Sequence, residues 1–144
     1  MALRAIRRVL VLSALVALAC ASPGPAIRVD NAWARPVSGT APGVTYLSIV
    51  NAGNAADRLL GVRSSCCAVV EIHETRVEND VMRMVPVDSG IAIEPGATVS
   101  LAPGGYHLML FERAEPLRNG ERFELTLDFE ISEDVTIEVE VRGP

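Results

Sequence analysis

The sequence predicts an all-β domain, and three observations carry the prediction. Two segments near the C-terminus alternate strictly: FELTLDF (123–129) sets Phe123, Leu125, Leu127 and Phe129 on one side, and VTIEVEV (135–141) does the same with Val135, Ile137, Val139 and Val141. Turn chemistry recurs at intervals of about ten residues, in NAGNA, VEND, DSG, EPGA, APGG and RNGE. No segment sustains a helical period of apolar residues. Short strands punctuated in this way build a sandwich or a small barrel.

Taken in order, residues 1–20 read as an export signal and not as part of the fold. Arg4, Arg7 and Arg8 form a basic start, Val9–Ala19 is an apolar run too short to span a bilayer, and small residues come after it. The cut point stays open. Ala17-Leu18-Ala19 fits a site before Cys20, Ala19-Cys20-Ala21 fits one just after it, and the context of Cys20 loosely matches a bacterial lipoprotein box, with a lipid anchor on that cysteine. ASPGPA (21–26) then reads as a short tether. Residues 27–144 form one domain, with no repeat, charge block or linker to divide it, and the chain is long enough to bury a core without staples. Besides the two alternating segments, strands are expected at 27–35, 44–52, 58–64, 69–77, 81–87, 98–102 and 106–112.

Charge narrows the partners. The whole chain carries −5, and all 13 basic residues are arginine. Removing the leader takes three of these and none of the 18 acidic residues, leaving 10 against 18, a net charge of −8. An acidic domain without a basic run argues against nucleic acid and against anionic membrane surfaces. Once Cys20 is cleaved or lipidated only the adjacent Cys66 and Cys67 remain, which is no disulfide framework.

The chemistry-bearing residues are concentrated. Outside the initiator, the only methionines are Met82, Met84 and Met109, and the only histidines are His73 and His107; all five lie in EIHETRVENDVMRM (71–84) and GYHLML (105–110). In GYHLML, Tyr106, Leu108 and Leu110 point to one face, and His107 and Met109 to the other, which the core does not require. If Asn79-Asp80 is a two-residue hairpin tip, Glu78 faces Val81 and Met84 faces Thr75, diagonal to His73 and on its face. Shifting each strand by one residue puts Met84 directly opposite His73, again on the same face. Met82 shares that face nearer the turn and reads as a bystander or weak auxiliary.

Singly, each residue has a plain reading: methionine on a strand is usually core filler, and a lone histidine on a sheet is usually solvated. Four of them at compatible parity, in a chain with none to spare, point to a metal. Two imidazoles with two thioethers make a soft-to-borderline set that suits Cu(I) and serves zinc, calcium or magnesium poorly. Outside the cytoplasm such donors are not consumed as a disulfide. No Ser-His-Asp arrangement and no glycine-rich phosphate loop is evident, so an enzyme is not expected.

AWARP (32–36), VEIHE (70–74), the methionine at 84 after ten intervening residues and PGGYHLML (103–110) together resemble the periplasmic copper chaperones of the PCu(A)C type. The resemblance spans about residues 27–142. It implies a cupredoxin-like Greek-key β-sandwich holding one Cu(I) near its surface, with His73, Met84, His107 and Met109 at the ligand positions, and Cu(II) binding left open. It also implies delivery to a copper-accepting protein, such as an oxidase subunit or another copper chaperone, in the assembly of cytochrome c oxidase copper centres. Cys66-Cys67 departs from the pattern, and three readings stand: two small part-buried residues, a strained vicinal disulfide, or thiolates that join the metal site or accept copper in transfer. An electron-transfer cupredoxin is the alternative function, although its cysteine normally lies close to the His and Met of one loop. A metal-free β-sandwich that serves as an interaction module is the third.

Overall fold

A computed structural model describes residues 23–143, so the expected export signal, its cut sites and Cys20 lie outside the described residues. The chain forms ten strands: β1 (Ile27–Ala34), β2 (Gly43–Asn51), β3 (Asp57–Ser64), β4 (Val69–Glu78), β5 (Val81–Pro86), β6 (Ile91–Ile93), β7 (Thr98–Leu101), β8 (Tyr106–Phe111), β9 (Arg122–Phe129) and β10 (Val135–Val141). The nine expected strands are all present, and no helix forms among the described residues. The tenth, β6, is three residues long, too short to show a period of two.

The strands hydrogen-bond in the order β5-β4-β8-β2-β1-β10-β9-β3-β6, with β7 paired to β2 off that path. Among the described residues only β1 and β10 run parallel; every other strand pairing is antiparallel. Strands β3 and β4, far apart on this path, pack against one another, so the sheet folds back on itself as a cupredoxin-like sandwich. The core lies between the two halves. Phe123, Leu125, Leu127 and Phe129 of β9 are all buried in it, with Leu47 and Ile49 of β2, Leu108 and Leu110 of β8, and Val139 and Val141 of β10. The alternation read from the sequence is thus the alternation of core and solvent.

The hairpin between β4 and β5 turns on Asn79 and Asp80, both left-handed at φ 52° and 63°, the geometry of a tight turn that matches strand twist. Its register pairs Glu78 with Val81 and Thr75 with Met84, the first of the two alignments expected. Within the segment expected as a tether, Gly24 and Ala26 are hydrogen-bonded to the domain. Gly24 N donates to Asn54 Oδ1 at 2.9 Å and Ala26 N to the buried Asn51 Oδ1 at 3.1 Å. A side chain at Gly53 would meet the Gly24 carbonyl, so that approach requires glycine.

Candidate metal centre

Strands β5, β4 and β8 form one end of the sheet, with β5 at its free edge. His73 pairs directly with His107 across β4 and β8, and Glu71 with Met109. Cross-strand partners share a face, and so do residues two apart on one strand. The registers therefore put His73, Met84, His107 and Met109 on one face, together with Glu71 and Met82. Met84 and Met109 lie on opposite diagonals of His73, each about 7 Å from it between Cβ atoms on a regular sheet.

The histidines are not solvated. His73 is 8% exposed and His107 2%, and their ring centroids are 5.9 Å apart. Both imidazoles therefore lie below the surface. The Phe111 ring stands 6.1 Å from that of His73, and the Glu71 carboxylate caps the latter from its own strand. Met84 and Met82 are the reverse, 59% and 68% exposed on the edge strand. The centre has a buried imidazole floor and an exposed thioether arm.

Each ring nitrogen has an identifiable role. His107 Nδ1 lies 3.0 Å from the Gly105 carbonyl. A carbonyl can only accept, so Nδ1 carries the proton and Nε2 presents its lone pair. His73 Nε2 lies 2.7 Å from Glu71 Oε2, so the proton sits on Nε2 and the lone pair on Nδ1. These two lone-pair nitrogens, His73 Nδ1 and His107 Nε2, are buried and have no hydrogen-bond partner. Buried polar atoms without partners are rare. A ring whose other N–H is held by a carboxylate or carbonyl is the usual arrangement of a metal-ligating histidine. Glu71, two residues before His73 and on the same face, is the side chain that holds the His73 ring, and only that spacing in the sequence points to it.

The structure does not bring Cys66 and Cys67 to this place. They lie in the turn before β4, whereas His73 is four strand residues beyond Val69, about 13 Å along the sheet. Among the described residues, no three His, Cys, Asp or Glu side chains gather as a metal cage. Trp33 and Tyr46 pack against each other, tilted, at 4.8 Å between ring centroids.

The family model described as "Putative lipoprotein LpqE-like" matches residues 27–141. The chain belongs to the LpqE-like family. This LpqE-like protein is 32% identical over 103 residues to Lxx21020 of Leifsonia xyli subsp. xyli (strain CTCB07), which bears the designation of a putative lipoprotein, and the match covers 72% of the chain. It is 28% identical over 120 residues, 81% of its length, to the protein RP573 of Rickettsia prowazekii (strain Madrid E). The chain spans only 61% and 66% of the length of these two relatives. Among solved structures it superposes on the copper-bound PCuAC domain from PmoF2 with a TM-score of 0.68 and 31% identity, covering 82% of this chain and 93% of that domain. The expected likeness to the PCu(A)C type is met in the fold. No helix of the described residues is long and apolar enough to cross a membrane.

Proposed function

We propose that this chain is an exported copper carrier and not an enzyme. In this reading His73 Nδ1, His107 Nε2, Met109 Sδ and Met84 Sδ hold one Cu(I), which passes to a copper-accepting protein, with oxidase copper centres as the destination. The observation that carries the proposal is the cross-strand histidine pair, in which each ring keeps one buried nitrogen without a partner while the other nitrogen is held by an acceptor. Thioethers flanking such a pair favour Cu(I) over harder ions. The copper-bound state of the PmoF2 domain supports the choice of metal.

The uneven exposure suits a carrier. Met109 and the histidines lie on internal strands, whereas Met84 stands on the edge strand, where β5 pairs on one side only. Because Met84 and Met109 lie on opposite diagonals of His73, a metal bound by both sits over β4, and the β5 arm folds toward it. Release then begins with the exposed thioether, whose place an incoming ligand of the acceptor takes. The blue-copper alternative lacks its thiolate, since neither cysteine reaches the histidines.

The test is an anaerobic Cu(I) competition titration of residues 21–144 against a chromogenic chelator, beside the His107→Ala/Met109→Ala variant. The proposal expects the variant to capture one equivalent fewer. Equal capture by the two proteins removes it.

A further inference from the structure

The vicinal cysteines have a setting of their own. Cys66 and Cys67 are half-buried between β3 and β4 and pack against the core. Ser64 Oγ lies 3.2 Å from Cys66 Sγ, and the Cys67 thiol donates to the Val69 carbonyl at 3.4 Å. The β4–β8 ladder brings a cation to them. Val69 pairs with Phe111, Ala68 N donates to the Glu112 carbonyl at 3.4 Å, and just beyond the left-handed Glu112 stands Arg113, whose charge reaches Cys67 and favours its thiolate.

Arg113 is a buried charge without a counter-charge. It is 3% exposed; its guanidinium donates to the carbonyls of Glu115, Gly39 and Ala41, and its Nε has no partner. Among the described residues it forms no ion pair, whereas seven other arginines do. Carbonyl oxygens satisfy hydrogen bonds but leave the net charge uncompensated, and a buried uncompensated charge is costly. Glu112 and Glu115 flank it in sequence but are exposed and form no ion pair with it, whereas the part-buried Cys67 thiol feels its charge.

We propose that Cys66 and Cys67 form a second, two-coordinate site for a soft monovalent metal ion, whose bis-thiolate complex carries the negative charge that Arg113 is placed to balance. With Cu(I) the step is a plain exchange: two thiols bind one Cu(I) and release two protons to water, leaving a complex of charge −1 and no change of oxidation state. Two thiolates satisfy the low coordination that soft monovalent ions accept. Adjacent cysteines close only a strained disulfide ring, which favours the dithiol over its oxidised form. Burial, reinforced by the neighbouring Cys66, pushes the Cys67 thiol up to about 12, so its proton stays on at neutral pH until a metal displaces it. A cavity of about 320 Å³, lined by Cys66, Glu115, Leu117 and Phe123, gives access. This site is independent of the His and Met centre.

The experiment counts bound copper and released protons together in weakly buffered, anaerobic Cu(I) titrations of reduced residues 21–144. Its variants are Cys66→Ser/Cys67→Ser, His73→Ala/His107→Ala and Arg113→Gln. The expected result is one equivalent lost in the cysteine variant and kept in the histidine variant, with about two protons released for it. Arg113→Gln, once its β-sheet spectrum matches wild type, lowers the affinity of that equivalent at least tenfold. Equal stoichiometry in wild type and the cysteine variant overturns the site, as does a cysteine-dependent equivalent that releases no protons. Unchanged affinity in folded Arg113→Gln overturns the charge-balancing role.

Discussion

Glu71 provides the sharpest perturbation of the proposed copper centre, because it acts on the metal only through His73. Its carboxylate accepts the Nε2 proton of His73 at 2.7 Å and so keeps the Nδ1 lone pair directed at the site. Glu71→Ala hands that proton to water and frees the ring to turn and to change tautomer. Partners of this kind are typically worth 10–100-fold in metal affinity. The Glu71 side chain is 45% exposed, and water can replace part of its hold, so the expected loss sits at the low end, about tenfold or roughly 1.4 kcal/mol. Glu71→Gln, whose amide oxygen still accepts the proton but carries no charge, should fall between the two. Glu74→Ala is the control, since Glu74 pairs with Tyr106 on the opposite face and bonds Arg76. The assay is Cu(I) competition with each variant, with the tautomer of His73 read by long-range 15N–1H correlation. Equal affinities for Glu71→Ala and Glu74→Ala would refute the positioning role of Glu71.

Met84 should be shielded from peroxide oxidation by one equivalent of Cu(I), while Met82 beside it oxidises at an unchanged rate; mass spectrometry of peptides spanning β5 resolves the two. Asn51→Ala should destabilise the fold by about 3 kcal/mol in a urea titration, because the buried amide bonds Ala26 N, Gly53 N and the carbonyls of Ala55 and Ile93, and its loss leaves several of these unpaired. Asp57 is also buried. Burial raises its pKa, but hydrogen bonds from Ser132, Arg58 and Ile131 outweigh that and hold the carboxyl below its ordinary value of 3.8. Its stabilising contribution is therefore complete above that value and is lost as the pH falls through the folded-state pKa. Asp57→Asn should be less stable than wild type at neutral pH, and should lose less stability on acidification from about pH 5 to pH 2.

Much of the fold was legible in the sequence because strands report their own geometry. Period-two alternation located β9 and β10 and named the buried residues of β9 and Val139 and Val141 of β10, with Val135 and Ile137 only partly buried, and Asn79-Asp80 determined the hairpin register and with it the shared face of His73 and Met84. What alternation cannot tell is whether the second face of a strand meets water. Here the sheet folds back on itself, and the face carrying His107 is as closed at that residue as the core face. Nor does nearness in sequence mean nearness in a sheet: an extended chain moves about 3.3 Å per residue, so the positions between Cys67 and His73 separate them by more than any side chain can span. Arg113 had no sequence signal at all, since its burial depends on carbonyls from residues 39 and 41, brought to it by the fold.

The donor set of the His and Met centre can be read directly by X-ray absorption. Measured at the copper edge of the Cys66→Ser/Cys67→Ser variant, loaded anaerobically with one equivalent of Cu(I), the spectrum isolates that centre. The expected first shell holds two imidazole nitrogens and two sulfurs, with one sulfur lost in Met84→Leu and the imidazole scattering reduced in His73→Ala. A shell of nitrogen and oxygen alone, or one that both substitutions leave unchanged, would rule the proposed centre out.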